Sequence, residues 1–268
     1  MSGIADLPAP QGDPNEGPAI AARGLGKRFG DLIAVKGIDL DVPRGSFFGL
    51  VGPNGAGKTT TLSMVTGLLR PDAGQAFVLG RDVWSDPVAA KRLIGVLPDG
   101  LKLFDRLTGL QLITYAGLLR GMSRDLASER AAELVAALGL AEAQGKLVVD
   151  YSAGMTKKVT LASALVHAPR VLVLDEPFEA VDPVSAATIR RILADYVGAG
   201  GTVVLSSHVM ELVERICSHV AVISDGQVLA TGELDVVREG RSLEERFVDL
   251  VGGTTEVVGL SWLRTSSD

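Results

Sequence analysis

One cysteine, Cys217, stands in 268 residues, so no disulfide can form within the chain, and this suits a reducing compartment. Basic residues are in deficit: 26 Lys and Arg against 32 Asp and Glu give a formal net charge of −6, which disfavours general nucleic-acid binding. There is no uninterrupted apolar run of about 18 residues, the length needed to cross a bilayer as a helix. The N-terminus has no apolar signal core, because Asp6, Pro8, Pro10 and Asp13 interrupt it. The chain is therefore expected to be soluble, and any membrane role requires a separate partner chain. Apolar residues, in contrast, make up 47%, enough for a substantial core in one large domain or two small ones.

Residues 1–18 are rich in Pro, Gly and Ala without periodicity and read as a disordered leader. Ile20-Ala21-Ala22, Ile33-Ala34-Val35 and the strictly alternating Ile38-Asp39-Leu40-Asp41-Val42 read as strands of a small β layer. Gln75 to Leu79 and Ile94 to Leu97 follow as strands. The pattern then turns helical, with apolar residues at helical spacing over Leu110–Leu119 and Ser128–Leu138, which predicts a helical subdomain inserted at about residues 100–167. Strand and helix alternate again from Val171 to Ser224, as in a mostly parallel sheet with helices on its faces. The domain so read spans residues 19–251, and residues 252–268 form a short polar tail. No internal repeat is present.

The most informative stretch is Gly52-Pro53-Asn54-Gly55-Ala56-Gly57-Lys58-Thr59-Thr60, which fits the phosphate-loop pattern G-x-x-x-x-G-K-[ST]. An apolar strand, Ser46 to Val51, precedes it and a helix start follows. Glycines let successive backbone N–H groups converge on one anion, and the helix N-terminus adds roughly half a positive charge. Lys58 is placed to reach the β- and γ-phosphates of a nucleoside triphosphate, and the Thr59 hydroxyl to ligate Mg²⁺. Further on, Val171-Leu172-Val173-Leu174 reads as a strand buried on both faces and ends in Asp175-Glu176. Ligands of open α/β sheets gather at such strand ends. Asp175 is expected to hold Mg²⁺ and Glu176 to orient and deprotonate an attacking water.

Taken together, these segments resemble the ATP-binding subunit of an ABC (ATP-binding cassette) transporter, from about Ala19 to Arg238. Tyr151-Ser152-Ala153-Gly154-Met155 is similar to the family signature L-S-G-G-Q, retaining Ser152 and Gly154. The resemblance implies that Ser152, Ala153, Gly154 and Met155 open a helix and contact the γ-phosphate held by an opposite protomer. Glu179 to Pro183 resembles the D-loop, in which Asp182 helps couple two sites across a dimer. Ser206-Ser207-His208 resembles the switch segment, in which His208 hydrogen-bonds the γ-phosphate and Glu176. Phe29 resembles the aromatic residue that stacks on adenine. The implied fold is α/β: a P-loop NTPase with a mostly parallel core sheet, an N-terminal antiparallel β layer and a helical insert.

One position departs from the family pattern. The strand Ile94 to Leu97 and Pro98 precede Asp99, where the family carries a glutamine that offers a neutral carbonyl to metal and water. Asp99 can still give an oxygen to Mg²⁺, but it also places negative charge near triphosphate, and weaker or differently coupled hydrolysis is expected. Gln111 is discounted as a substitute because it falls inside a predicted helix. The resemblance implies an ATPase, using ATP and Mg²⁺, that powers a transporter of export type as a homodimer or heterodimer. It implies separate transmembrane permease chains, no nucleic-acid partner and a peripheral position at the cytoplasmic face of the cell membrane. The alternatives are a module that binds ATP with weak or no hydrolysis, and a soluble ABC-type ATPase outside transport. Against the second, only 117 positions separate Lys58 from Asp175, too few for a long coiled-coil insert.

Overall fold

A computed structural model describes residues 17–100 and 102–252. The expected leader, up to residue 16, and the tail, from residue 253, lie outside the described residues. Strand β1 (Ile20–Phe29) and strand β2 (Leu32–Val42) form a long antiparallel hairpin. Strand β4 (Ala73–Val78) pairs with the other edge of β1, and the two-residue β5 (Arg81–Asp82) closes a four-stranded antiparallel sheet in the order β2-β1-β4-β5. The two strands expected at Ile33–Val35 and Ile38–Val42 are one strand. Gly37, at φ 83°, is an extra residue in it: Lys36 faces Gly26 while Ile38 faces the adjacent Leu25. Such a bulge bends a strand without ending it.

The second sheet has six strands in the order β10-β9-β3-β8-β7-β6, where β3 is Phe47–Val51, β6 Ile94–Leu97, β7 Val171–Leu174, β8 Thr202–Ser207, β9 His219–Ser224 and β10 Gln227–Glu233. All neighbours are parallel except β10, which runs antiparallel to β9. Successive side chains of a strand face opposite sides, so each buried strand feeds two cores. Leu172, Leu174, Val203 and Leu205 enter one core, and Val171, Val173 and Val204 the other. The second core is closed by the antiparallel sheet and by helix α1 (Lys58–Val65).

Helices α3 (Gly109–Leu119), α4 (Arg124–Ala137) and α5 (Ala153–Leu165) cover the first core on the side of β6, with α6 (Pro183–Gly198) and α7 (Met210–Ile216) further along. Their starts follow from side chains that accept orphan backbone N–H groups. Thr108 caps α3 in a reciprocal box with Gln111, whose carbonyl accepts from the Thr108 N–H at 2.9 Å. Gln111 is thereby occupied within its own helix. Ser123 caps α4, and Ser152 caps α5 by accepting from Met155 N–H at 3.3 Å. Helices α2 (Pro87–Leu93), α8 (Leu234–Arg238) and α9 (Leu243–Leu250) have no counterpart in the sequence expectations.

Just beyond α5, His167 feels the charges of Arg120 and Arg130. Its Nε2 lies 3.1 Å from the Ile94 carbonyl, while its buried Nδ1 has no hydrogen-bond partner among the described residues. Burial first, then those two cations, push its pKa down to about 4 from 6.5, against the opposing hydrogen bond to Ile94. A base with a depressed native pKa is bound by more protons when unfolded, so its contribution to stability is complete above pH 6.5 and is lost as pH falls towards 4. After solvent screening the loss is on the order of 1–2 kcal/mol. In His167→Gln, which keeps a donor for Ile94 but cannot titrate, the fall in melting temperature between pH 7 and pH 4.5 is expected to be shallower by several degrees.

Candidate functional site

The carboxyl ends of β3, β7 and β8 lie side by side, and the polar residues converge there, as in other open α/β sheets. The chain leaves β3 at Val51 and re-enters regular structure at Lys58, the first residue of α1. Two glycines make the intervening loop possible. A Cβ on Gly52 would lie 2.0 Å from the Ile223 carbonyl oxygen at the end of β9. Gly57 has φ 102°, a left-handed value, and a Cβ there would lie 2.7 Å from the Ala34 carbonyl oxygen of β2. The loop is thus wedged between the two sheets. Gly226 completes the wedge, donating its N–H to Ala56 and accepting from Lys36 N–H.

Lys58 is buried, and its Nζ donates to the carbonyls of Gly52 at 2.8 Å and Pro53 at 3.1 Å. Asn54, Gly55, Ala56, Gly57, Lys58, Thr59 and Thr60 line a cleft of about 440 Å³, whereas Gly52 and Pro53 are outside its lining. Asp99, Glu176, Glu179 and His208 line it as well. Phe29, at the end of β1, lines the cleft together with Leu32 and Ala34; the residue is 47% exposed and has Lys27 Nζ 5.6 Å from its ring centroid. An open flat ring beside a phosphate-binding loop is suited to stacking on a nucleotide base.

Asp175 is buried at the end of β7. Its Oδ1 accepts from Ser206 Oγ at 2.5 Å, and the same oxygen of Ser206 accepts from Glu176 N–H at 2.9 Å. Glu176 takes a left-handed backbone, φ 45°, which costs a residue with a Cβ about 1–3 kcal/mol. That turn brings its Oε1 to 3.1 Å from His208 Nδ1 and 3.7 Å from Lys58 Nζ. One carboxylate therefore faces both the phosphate-loop lysine and the imidazole that follows β8.

A Mg²⁺ ion takes hard oxygens, and the Thr59 hydroxyl and the carboxylates of Asp175 and Asp99 are of that kind. Among the described residues, no group of three or more His, Cys, Asp and Glu side chains is arranged to hold a metal ion unaided. That pattern fits Mg²⁺, which keeps waters and substrate phosphates in its shell and needs only one or two protein carboxylates. Asp99 has a protein partner as well: its Oδ1 lies 3.7 Å from Lys157 Nζ.

The segment Ser152-Ala153-Gly154-Met155 is not brought to this cleft. Ser152 and Ala153 are exposed at the N-terminus of α5, while Gly154 is buried against the start of α6. A Cβ on Gly154 would lie 2.7 Å from Asp182 Oδ2. Asp182 caps α6, accepting from Ser185 N–H at 2.9 Å and Val184 N–H at 3.1 Å. Bonds from the Ser185 backbone and side chain hold its carboxyl below the usual range. Asp182 thus has a role inside the chain, besides the one that the resemblance implies between chains.

The family model for ABC transporters matches residues 35–179, from β2 to just past Glu176. The chain belongs to the ABC transporter family. It is 41% identical over 219 residues to the daunorubicin/doxorubicin resistance ATP-binding protein DrrA of Streptomyces peucetius, covering 81% of this chain and 66% of that protein. It is 35% identical to the linearmycin resistance ATP-binding protein LnrL of Bacillus subtilis (80% and 68% covered) and 38% to a Nod factor export ATP-binding protein I of Burkholderia lata (78% and 69%). The chain spans about two thirds of the length of these relatives. A solved ATP-binding subunit of an ABC transporter superposes with a TM-score of 0.80 at 26% identity, over 87% of this chain and 99% of that one. An ATP-binding cassette solved as a dimer with ADP and phosphate shares the fold, with a TM-score of 0.74 at 24% identity, over 80% and 98%. The architecture is the ABC ATPase fold.

Three features of the ABC cassette site escaped the sequence reading. Ser206 ties Asp175 to the backbone of Glu176, and its only signal was its place two residues before His208. Glu179 lines the cleft from a segment read only as a D-loop. Lys157 Nζ donates to the Glu176 carbonyl at 2.8 Å, a contact that neither segment marks.

Proposed function

We propose that this chain hydrolyses Mg-ATP as the nucleotide-binding subunit of an export-type ABC transporter, at the cytoplasmic face of the membrane and in complex with separate permease chains. The observation that carries the catalytic part is the Glu176 carboxylate, 3.1 Å from His208 and 3.7 Å from Lys58 at the mouth of the phosphate loop. Lys58 exchanges its bonds to the Gly52 and Pro53 carbonyls for the β- and γ-phosphate oxygens. The loop N–H groups take the remaining charge. Glu176 accepts the proton of the attacking water, and His208 orients that carboxylate and the γ-phosphate. Mg²⁺, when bound by Thr59 and Asp175, neutralises charge on the phosphates. Phe29 stacks on the adenine.

A dimer, homomeric or heteromeric, fits the placement of Ser152. Its helix N-terminus is exposed and outside the chain's own cleft, so it is free to bind the γ-phosphate held by a second subunit. The cassette is read as residues 19–251, with about 100–167 presenting the face towards the permease. No described helix is long and apolar enough to cross a membrane, so the path for the exported compound belongs to that partner. Export itself is supported by relatives named for drug resistance and Nod factor export.

The test is turnover of ATP by the purified chain, together with co-purification from membranes with a multi-span protein. Mg²⁺-dependent phosphate release on the order of 1 s⁻¹ is expected, within the ordinary enzyme range. A chain that hydrolyses ATP but never associates with a membrane protein would remove the transport part, and one that binds ATP without turnover would remove the catalytic part.

A further inference from the structure

We propose that Lys157 is a positioning residue for the hydrolytic carboxylate, acting as the cross-brace between Glu176 and Asp99. This rests on the ATPase reading above. Lys157 lies in the second turn of α5, on the helical side of the cleft, yet its ammonium reaches the strand ends. Nζ donates to the Glu176 carbonyl at 2.8 Å and lies 3.7 Å from Asp99 Oδ1. Its side chain is only 18% exposed, so it is held between these two partners and does not sweep through solvent.

The need for such a brace follows from the backbone of Glu176. At φ 45° it occupies a region that a residue with a Cβ leaves unless its neighbours hold it there. Three bonds hold it: one at its N–H, and two at its carbonyl, which accepts from Glu179 N–H at 3.3 Å as well as from Lys157. Ser206 Oγ accepts from its N–H, and Lys157 donates to its carbonyl. Removing the Lys157 bond leaves the peptide that follows Glu176 with only the longer bond from Glu179, which loosens it and displaces the carboxylate from its place between His208 and Lys58. A displacement of about 1 Å at a reacting group can cost a hundredfold in rate.

The same geometry accounts for the acid at position 99. A carboxylate facing the triphosphate would repel it, but Asp99 has a counter-charge supplied by the chain itself. Asp99 anchors Lys157 from the side of β6, and Lys157 in turn anchors Glu176 from the side of α5. The acid and the lysine thus work as one unit, and Asp99 is a tether for the brace and not a metal ligand.

The test is steady-state ATP hydrolysis by the full chain in Lys157→Met, Lys157→Arg, Asp99→Asn and Glu176→Gln, and in the double variant Lys157→Met with Glu176→Gln. Lys157→Met is expected to lower kcat about 10- to 100-fold with KM changed less than about threefold, because the carboxylate acts in the chemical step and not in binding. Lys157→Arg should recover kcat to within about fivefold of the wild type. Asp99→Asn, at an exposed site that does not endanger the fold, should lower kcat two- to fivefold, the size expected for one exposed ion pair. In the Glu176→Gln background, Lys157→Met should cause no further loss, since it acts through that residue. Wild-type turnover with unchanged kcat in Lys157→Met overturns the proposal alone, as does an equal loss in the Glu176→Gln background. Should Lys157→Met fail to fold, Asp99→Asn with unchanged kcat, or with KM raised as for a lost metal ligand, overturns it. Absence of wild-type turnover overturns the ATPase reading and this proposal with it.

Discussion

Replacing Glu176 by glutamine is expected to slow ATP turnover by about 10²- to 10⁴-fold, the range for loss of a positioned general base. ATP binding should survive or tighten. The amide keeps the shape and can still meet His208, but it cannot take a proton from water. It also removes a negative charge that stands 3.7 Å from Lys58 and faces the phosphates. With ATP held and not cleaved, the proposed dimer should persist, so that size-exclusion chromatography with Mg-ATP shows a shift to twice the monomer mass in Glu176→Gln and little in the wild type. Near-normal turnover in this variant would move the base elsewhere. Asp175 is poorly placed to substitute, since it is buried and one of its oxygens is already committed to Ser206.

Much of this site was legible because its parts are local in sequence. A phosphate loop is nine consecutive residues between a strand and a helix, and its glycines are required by contacts that any such wedge imposes. Asp175 and Glu176 follow a strand whose four residues are all apolar and all buried. Phe29 and His208 needed the resemblance, since a lone aromatic or histidine has no pattern of its own. What was not legible depends on distance in space. Lys157 and Glu176 are brought into contact only by the packing of α5 against β6 and α6, and nothing in either segment marks the pair. The Lys157 counter-charge of Asp99 likewise lies on another element, so the segment around Asp99 does not reveal it. The strand β2 read as two because Gly37 looks like a break, whereas its partner β1 carries the hairpin past the bulge. Helix α9 could have been found: Ser242 and Glu245 form a capping box just before its apolar residues.

Lys58→Ala tests the loop itself and should have the largest effect on binding. In the proposed complex the ammonium is buried against the β- and γ-phosphates, and truncating one partner of a buried, hydrogen-bonded charge pair costs about 2–5 kcal/mol, or roughly thirty- to several-thousand-fold in Kd. The loss is not offset by a gain in the free protein. There, Lys58 satisfies the Gly52 and Pro53 carbonyls, and without it both turn to solvent at the base of the loop. Lys58 also partly balances Glu176 at 3.7 Å, so its removal leaves that carboxylate facing the triphosphate with only His208 beside it. Binding of a fluorescent ATP analogue, measured by titration, should therefore weaken far more in Lys58→Ala than in Glu176→Gln. Adding Glu176→Gln to Lys58→Ala should recover part of the affinity, because it removes the uncompensated charge. If the double variant binds no better than Lys58→Ala alone, Glu176 does not face the phosphates, and its assignment as the base falls with that result.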